Sequence, residues 1–327
     1  MIPAKLTSET ALEPELPICD AHHHLWERAG ERYLLADFLQ DIGSGHNVVA
    51  TIAVECKAMY RKHGIEELKP LGETEFLTWV AHHAMADTSI ATAIASGIVG
   101  FADLSRGDPV AAVLEAHMAA SPNRFRGIRH STTWDSSGAL RNEAPHGLMS
   151  EGSFRGGFAW LKRYQLSFDA WLYHPQLAEL AELAGAFPDV RIILNHLGAP
   201  LGIGPYKRAD VFKAWREGIL RVAACPNVVV KLGGLGSERS GYDWHERIEK
   251  PSSMELVAAM KPYIELCIEA FGADRCMFES NFPVEKRANS YVVLWNAFKR
   301  ITANYSESER AALFHDTAMR VYRLSSK

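Results

Sequence analysis

Val48-Val-Ala-Thr-Ile-Ala-Val54 is apolar on both of its alternating faces, and Val190-Arg-Ile-Ile-Leu194 is nearly so. A strand with one face in water alternates apolar and polar side chains. Runs like these belong to strands covered on both sides, by helices outside and packed side chains inside. Six further β-rich runs lie at 18–22, 94–102, 125–130, 166–171, 228–232 and 275–280, which with 48–55 and 190–195 makes eight. Helical patterns fill the intervals, as at 177–186 before Pro188 and at 254–271 before Gly272. Strand and helix alternating eight times predict an α/β fold: a single (β/α)8 TIM-type barrel with insertions in the loops at the C-terminal face. A doubly wound open sheet usually carries a glycine-rich phosphate loop. Neither Gly202-Ile-Gly204 nor Gly233-Gly-Leu-Gly236 completes GxGxxG, so these glycines read as turns.

The 327 residues suit one barrel with long loops, divided as an N-terminal extension over 1–17 and a single barrel domain over 18–327. Long polar, Gly- and Ser-containing stretches at 131–157 and 233–253 follow the fourth and seventh runs, at the end of the barrel where binding loops sit. A formal charge of −4 gives no field for nucleic acid or anionic lipid, so neither nucleic acid nor membrane is an expected partner. Five scattered cysteines without a CxxC pair, and no apolar run long enough for export or membrane spanning, read as a cytoplasmic protein. A homo-oligomer is compatible with all of this. Ser306-Glu-Ser-Glu309 has capping-box spacing ahead of an amphipathic run ending at Tyr322, which predicts a closing helix with a structural role.

In Asp20-Ala-His22-His-His24, strict alternation puts Asp20, His22 and His24 on one face and Ala21 and His23 on the other. Two imidazoles projecting from the C-terminal end of a barrel strand can bind a metal or donate hydrogen bonds to a substrate carbonyl. His196 follows the sixth run directly and brings a third imidazole to the same end. Glu279 and Asn281 lie two apart at the end of the eighth run, and Thr51, Ala53 and Glu55 share a face at the end of the second. Glu279 and Glu55 are both candidate bases, or members of structural ion pairs with Arg129 or Lys231. Those two cations suit a carboxylate or a developing oxyanion. Tyr60, Arg61 and Tyr173 follow strand ends and are candidates for the pocket mouth.

Ile18-Cys-Asp-Ala-His-His-His-Leu-Trp26, Phe125-Arg-Gly-Ile-Arg129, Ile193-Leu-Asn-His-Leu-Gly198 and Phe278-Glu-Ser-Asn-Phe-Pro283 together resemble the amidohydrolase superfamily, and within it the lactone hydrolases. The resemblance runs from about Ile18 to Tyr322. It implies a distorted (β/α)8 barrel in which His22, His24 and His196 form the site. It also implies an aspartate after the eighth strand as metal ligand or base, where this sequence has Asn281. A neutral amide cannot take a proton from water, so the base falls to Glu279 or Glu55. The resulting reading is a hydrolase of a lactone or related ester, acting by water attack on a small carboxylated substrate. No cofactor is obligatory. A divalent metal such as zinc is compatible with His22, His24 and His196 as ligands. Two alternatives stand beside it: a metal-dependent decarboxylase of the same superfamily, and a non-catalytic ligand-binding barrel in which Asn281 marks lost chemistry. No G-x-S-x-G elbow and no HExxH helix is present.

Overall fold

The computed structural model describes residues 7–28 and 30–325. The first six residues of the expected extension and the last two of the barrel domain lie outside that range. All eight expected runs form parallel strands of one sheet, in chain order. They are β1 (Ile18–His23), β2 (Val48–Val54), β3 (Ala93–Gly100), β4 (Phe125–Arg129), β5 (Ser167–Ala170), β6 (Ile192–Leu194), β7 (Val228–Leu232) and β8 (Cys276–Phe278). Backbone bonds just past the ends of β8 and β1 close the ring: Asn281 N–H donates to the His22 carbonyl at 2.8 Å, and His24 N–H to the Phe282 carbonyl at 2.8 Å. Eight parallel strands closed this way and surrounded by helices are a (β/α)8 barrel.

The helices that follow the strands are α1 (Leu35–Ile42), α2 (Leu71–Ala86), α3 (Val110–Ala120), α4 (Gly152–Tyr164), α5 (Leu177–Ala186), α6 (Arg208–Ala223), α7 (Ser253–Phe271) and α8 (Tyr291–Ile301). Strand periodicity splits the core in two. Val48, Ala53, Ile192, Leu194, Val228, Val230, Cys276 and Phe278 pack outward against the helices. Ala50, Ile52, Val54, Val99, Ile193, Val229 and Met277 fill the interior. Lys231 and Glu279 continue the interior rows of Val229 and Met277 and so arrive at the top of the barrel.

The expected closing helix is present in pieces, Glu307–Ala311, a π-helical turn Ala312–Asp316 and Thr317–Val321, started by the Ser306–Glu309 capping box. It does more than cap the chain. Ala318, Val321 and Tyr322 pack with the interior side chains and plug the bottom of the barrel. The described part of the N-terminal extension straps α8: Leu12 N–H donates to Asn296 Oδ1 at 2.8 Å, and Lys299 Nζ donates to the Leu12 and Glu13 carbonyls. All five cysteines are free thiols. Among the described residues, no helix is long and apolar enough to cross a membrane.

Candidate active site

The first strand corrects one sequence expectation. Pairing of β1 with β2 shifts between Asp20 and His23, three residues advancing against two, so a bulge breaks the alternation. Cys19 and Ala21 point into the barrel, and beyond the bulge His22 and His24 do so as well. Asp20 therefore does not share their face. Its carboxylate accepts from Ser280 N–H at 2.9 Å, Ser280 Oγ at 2.6 Å and Tyr291 Oη at 3.0 Å, which ties β1 to β8 and α8. His23 turns the other way, onto the Phe38 ring and Thr51 Oγ1.

His22, His24 and His196 meet at the top of the barrel, the His22 ring centroid lying 4.7 Å from each of the other two. His24 Nδ1 donates to the Val54 carbonyl at 2.8 Å, leaving Nε2 as a bare acceptor. Glu279 Oε1 accepts from both His196 N–H at 3.0 Å and His196 Nδ1 at 2.7 Å, and Oε2 lies 3.0 Å from His22 Nδ1. That double grip holds His196 at φ 54°, a left-handed conformation costing a non-glycine residue about 1–3 kcal/mol. Gly234 makes room for it, since a Cβ there would lie 2.6 Å from that of His196. Burial pushes the pKa of His22, His24 and His196 well below the usual value, so all three rings are neutral. Burial pushes Glu279 up to about 8, against the pull of Lys231.

The other expected residues divide between the site and its surroundings. Arg129 Nε donates to Glu55 Oε1 at 2.7 Å and Nη2 to the Glu55 carbonyl, while Glu55 Oε2, itself buried, has no hydrogen-bond partner among the described residues. Alternation fails for Glu55 because the strand ends at Val54: Thr51 and Ala53 face the helices, and Glu55 reaches over the rim. Lys231 pairs with Asp169 at 3.1 Å, not with a glutamate, and Tyr322 Oη donates to the same carboxylate from below. Tyr60 lines a separate cavity of about 220 Å³, and Arg61 pairs with Glu75 on the surface. Neither joins the histidines.

A pocket of about 250 Å³ is lined by His24, Glu55, Arg129, Trp171, His196, Arg239 and Asn281 among others, and a cleft of about 390 Å³ shares Trp26, Arg28, Arg239 and Val284 with it. Tyr173 lines the outer part. Arg239 is a pocket cation that the sequence reading did not single out. Its guanidinium stacks over Trp171 at 4.6 Å and bonds Ser237 Oγ, and no ion pair among the described residues neutralises it. It lies in the loop expected to carry specificity, but no pattern distinguishes one arginine of an irregular loop from another. Glu73 and Glu285, both buried carboxyls behind the pocket wall, were likewise silent in the sequence.

A divalent cation is the group this fold class implies, and the donors can be tested for it. His22 Nε2 and His24 Nε2 lie 3.1 Å apart. When His22 Nδ1 donates to Glu279, both Nε2 atoms present lone pairs to one another, which requires a positive centre beside them. Arg129 Nη1, 3.3 Å from His22 Nε2, supplies part of it. His22, His196 and Glu279 also offer ligand atoms within 4.8 Å of one another. The set fits a divalent ion. Lys231, 3.3 Å from His22 Nδ1, and Arg129 are fixed positive charges that weaken its hold.

A closed (β/α)8 barrel with neutral histidines at the C-terminal ends of β1 and β6 defines the class. The chain belongs to the amidohydrolase family, whose model matches residues 19–324. It is 36% identical to the uncharacterized protein y4mH of Sinorhizobium fredii, over 95% of this chain and 99% of that one. It is 28% identical to an L-fucono-1,5-lactonase of Burkholderia multivorans, over 93% and 95% of the two chains. A crystal structure of an amidohydrolase from Burkholderia multivorans with bound zinc superposes with a TM-score of 0.71 at 25% identity, covering 94% of this chain and 99% of the other.

Proposed function

We propose that this protein hydrolyses a lactone carrying a carboxylate or similar anionic group. The observation that carries the reading is Glu55, fixed on Arg129 through one oxygen and free at the other, on the wall of the pocket that holds His24 and His196. Glu279 is a poorer base because both its oxygens face imidazoles below the pocket. Glu55 takes a proton from water as the oxygen attacks the lactone carbonyl carbon, and the ring C–O bond breaks as the tetrahedral oxyanion collapses. The departing alkoxide takes the proton back, giving an open hydroxy acid. Arg129 steadies the oxyanion, and Arg239 holds the substrate's anionic group against Trp171. The bare Nε2 atoms of His24 and His196 accept rather than donate, so they do not polarise the carbonyl by hydrogen bonding. A divalent ion held by His22, His24 and His196 would supply that polarisation as a Lewis acid.

The test is a pH-stat assay over carboxylated and neutral sugar lactones, with Glu55→Gln and Arg239→Met alongside the wild type. Glu55→Gln should lower kcat by about 10²–10⁴-fold, and Arg239→Met should raise KM for carboxylated lactones and leave that for neutral ones unchanged. Failure to open any lactone, or full activity in Glu55→Gln, rejects the reading.

A further inference from the structure

Glu285 is fully buried behind the pocket wall, outside the residues that line it. Its Oε2 accepts from Gly236 N–H at 2.7 Å, and a Cβ at Gly236 would lie 2.2 Å from that oxygen, so the glycine is what admits the carboxylate. Its other oxygen, Oε1, has no hydrogen-bond partner among the described residues. A carboxylate kept dry with half its acceptors unused is costly to maintain and asks for a donor. The side chain beside it is the amide of Asn281, which favours its charged form and whose other side lies on the pocket. Backbone geometry keeps the two together: Glu285 N–H donates to the Asn281 carbonyl, and Asn281 sits at φ 53°, a conformation asparagine tolerates better than most residues.

We propose that Glu285 is the positioning residue for Asn281, its carboxylate taking the amide N–H from behind and turning the amide oxygen into the pocket. An acceptor-only group leaves the amide one choice. With the NH₂ drawn back, the pocket meets a carbonyl oxygen, which can hold an attacking water by accepting a hydrogen bond from its second O–H while Glu55 takes the first proton. Glu285 also places a negative charge one layer behind a neutral wall. Burial is what chiefly raises its pKa, to about 7; of the charged groups around it, Glu279 adds to that rise and Arg239 opposes it. Ionisation of Glu285 near neutrality thus fixes the amide, and protonation releases it.

Two measurements test this, and only the second rests on the proposed hydrolysis. In protein labelled with ¹⁵N-asparagine, the Asn281 side-chain NH₂ pair is assigned by its loss in Asn281→Asp. It should shift with pH through a midpoint near neutrality in the wild type and lose that titration in Glu285→Gln. A pair whose shifts and pH dependence are the same in the wild type and in Glu285→Gln overturns the proposal. In the lactone assay, Glu285→Gln should draw the amide oxygen back and turn NH₂ to the pocket, lowering kcat about tenfold with KM nearly unchanged. Wild-type kcat in Glu285→Gln overturns it as well. If the wild type opens no lactone, the hydrolytic reading fails alone, and the labelled amide still decides the role of Glu285.

Discussion

Asp20, in β1, and Glu279, just past β8, are both buried acids bonded to residues of the site, and they do different work. Asp20 accepts four donors, from Ser280 N–H, Ser280 Oγ, Tyr291 Oη and His22 N–H. Asparagine in its place would leave some of those donors without an acceptor, so Asp20→Asn should lose about 1–3 kcal/mol in urea unfolding. Glu279, in the charged form that a bound divalent ion would draw out, instead fixes tautomers. A glutamine there can still accept from His196 with its oxygen, but its NH₂ must face His22 Nδ1. That makes Nδ1 an acceptor and moves the His22 proton to Nε2. Glu279→Gln should therefore fold, with a near-native circular dichroism spectrum, and bind zinc at least tenfold more weakly by calorimetric titration. Unchanged zinc affinity would show that the His22 lone pair is not a ligand. His22, His24 and His196 were legible because residue type and strand-end position coincide in each. The role of Asp20 was not, because alternation cannot register a bulge that depends on the pairing of β1 with β2.

At the scale of elements, the eight strands were readable because short β-rich runs alternate with helical patterns along the chain, and the capping box announced the final helix. What the final helix does could not be read, since plugging the barrel is a property of closure and not of a local pattern. Tyr322 donates to both oxygens of Asp169, at 2.7 and 2.8 Å, and Asp169 in turn holds Lys231 beneath His22. The plug therefore bears on the site through a chain of buried polar groups. Tyr322→Phe removes the hydroxyl, leaves Asp169 to Lys231 and Asn195, and should destabilise by about 1–2 kcal/mol in urea unfolding. Residues such as Glu73, Glu285 and Arg239 escaped the sequence for the opposite reason. Each sits on a helix or in a loop whose approach to the pocket is fixed only by the assembled fold.

For the whole molecule, the buried titratable groups set a pH dependence with a definite sign. Burial raises Glu279 and Glu73 to about 8 and Glu285 to about 7, so the folded protein holds these protons more tightly than the unfolded chain. Their contribution is complete below the unfolded carboxyl pKa of about 4.5 and is lost as pH rises through 7 to 8. The histidines run the other way. Burial lowers His22, His24 and His196 strongly, His23 to about 3, and His46, His117, His130 and His174 to about 4. Their contribution is complete above about 6.5 and is lost as pH falls below it. The two sets oppose one another between 4.5 and 6.5, whereas from 6.5 to 8 the carboxyls outnumber the one group that opposes them near the top of that range, Lys299, which burial lowers to about 8. The metal-free protein, prepared with a chelator, should therefore lose unfolding free energy between pH 6.5 and 8. Glu73→Gln, which cannot ionise, should flatten that decline. A bound divalent ion would draw Glu279 into its charged form and remove its share of the slope, so repeating the series with zinc separates the metal's effect from that of burial. A stability that instead rises steadily from pH 6.5 to 8 without metal would mean that these carboxyls are already charged in the fold.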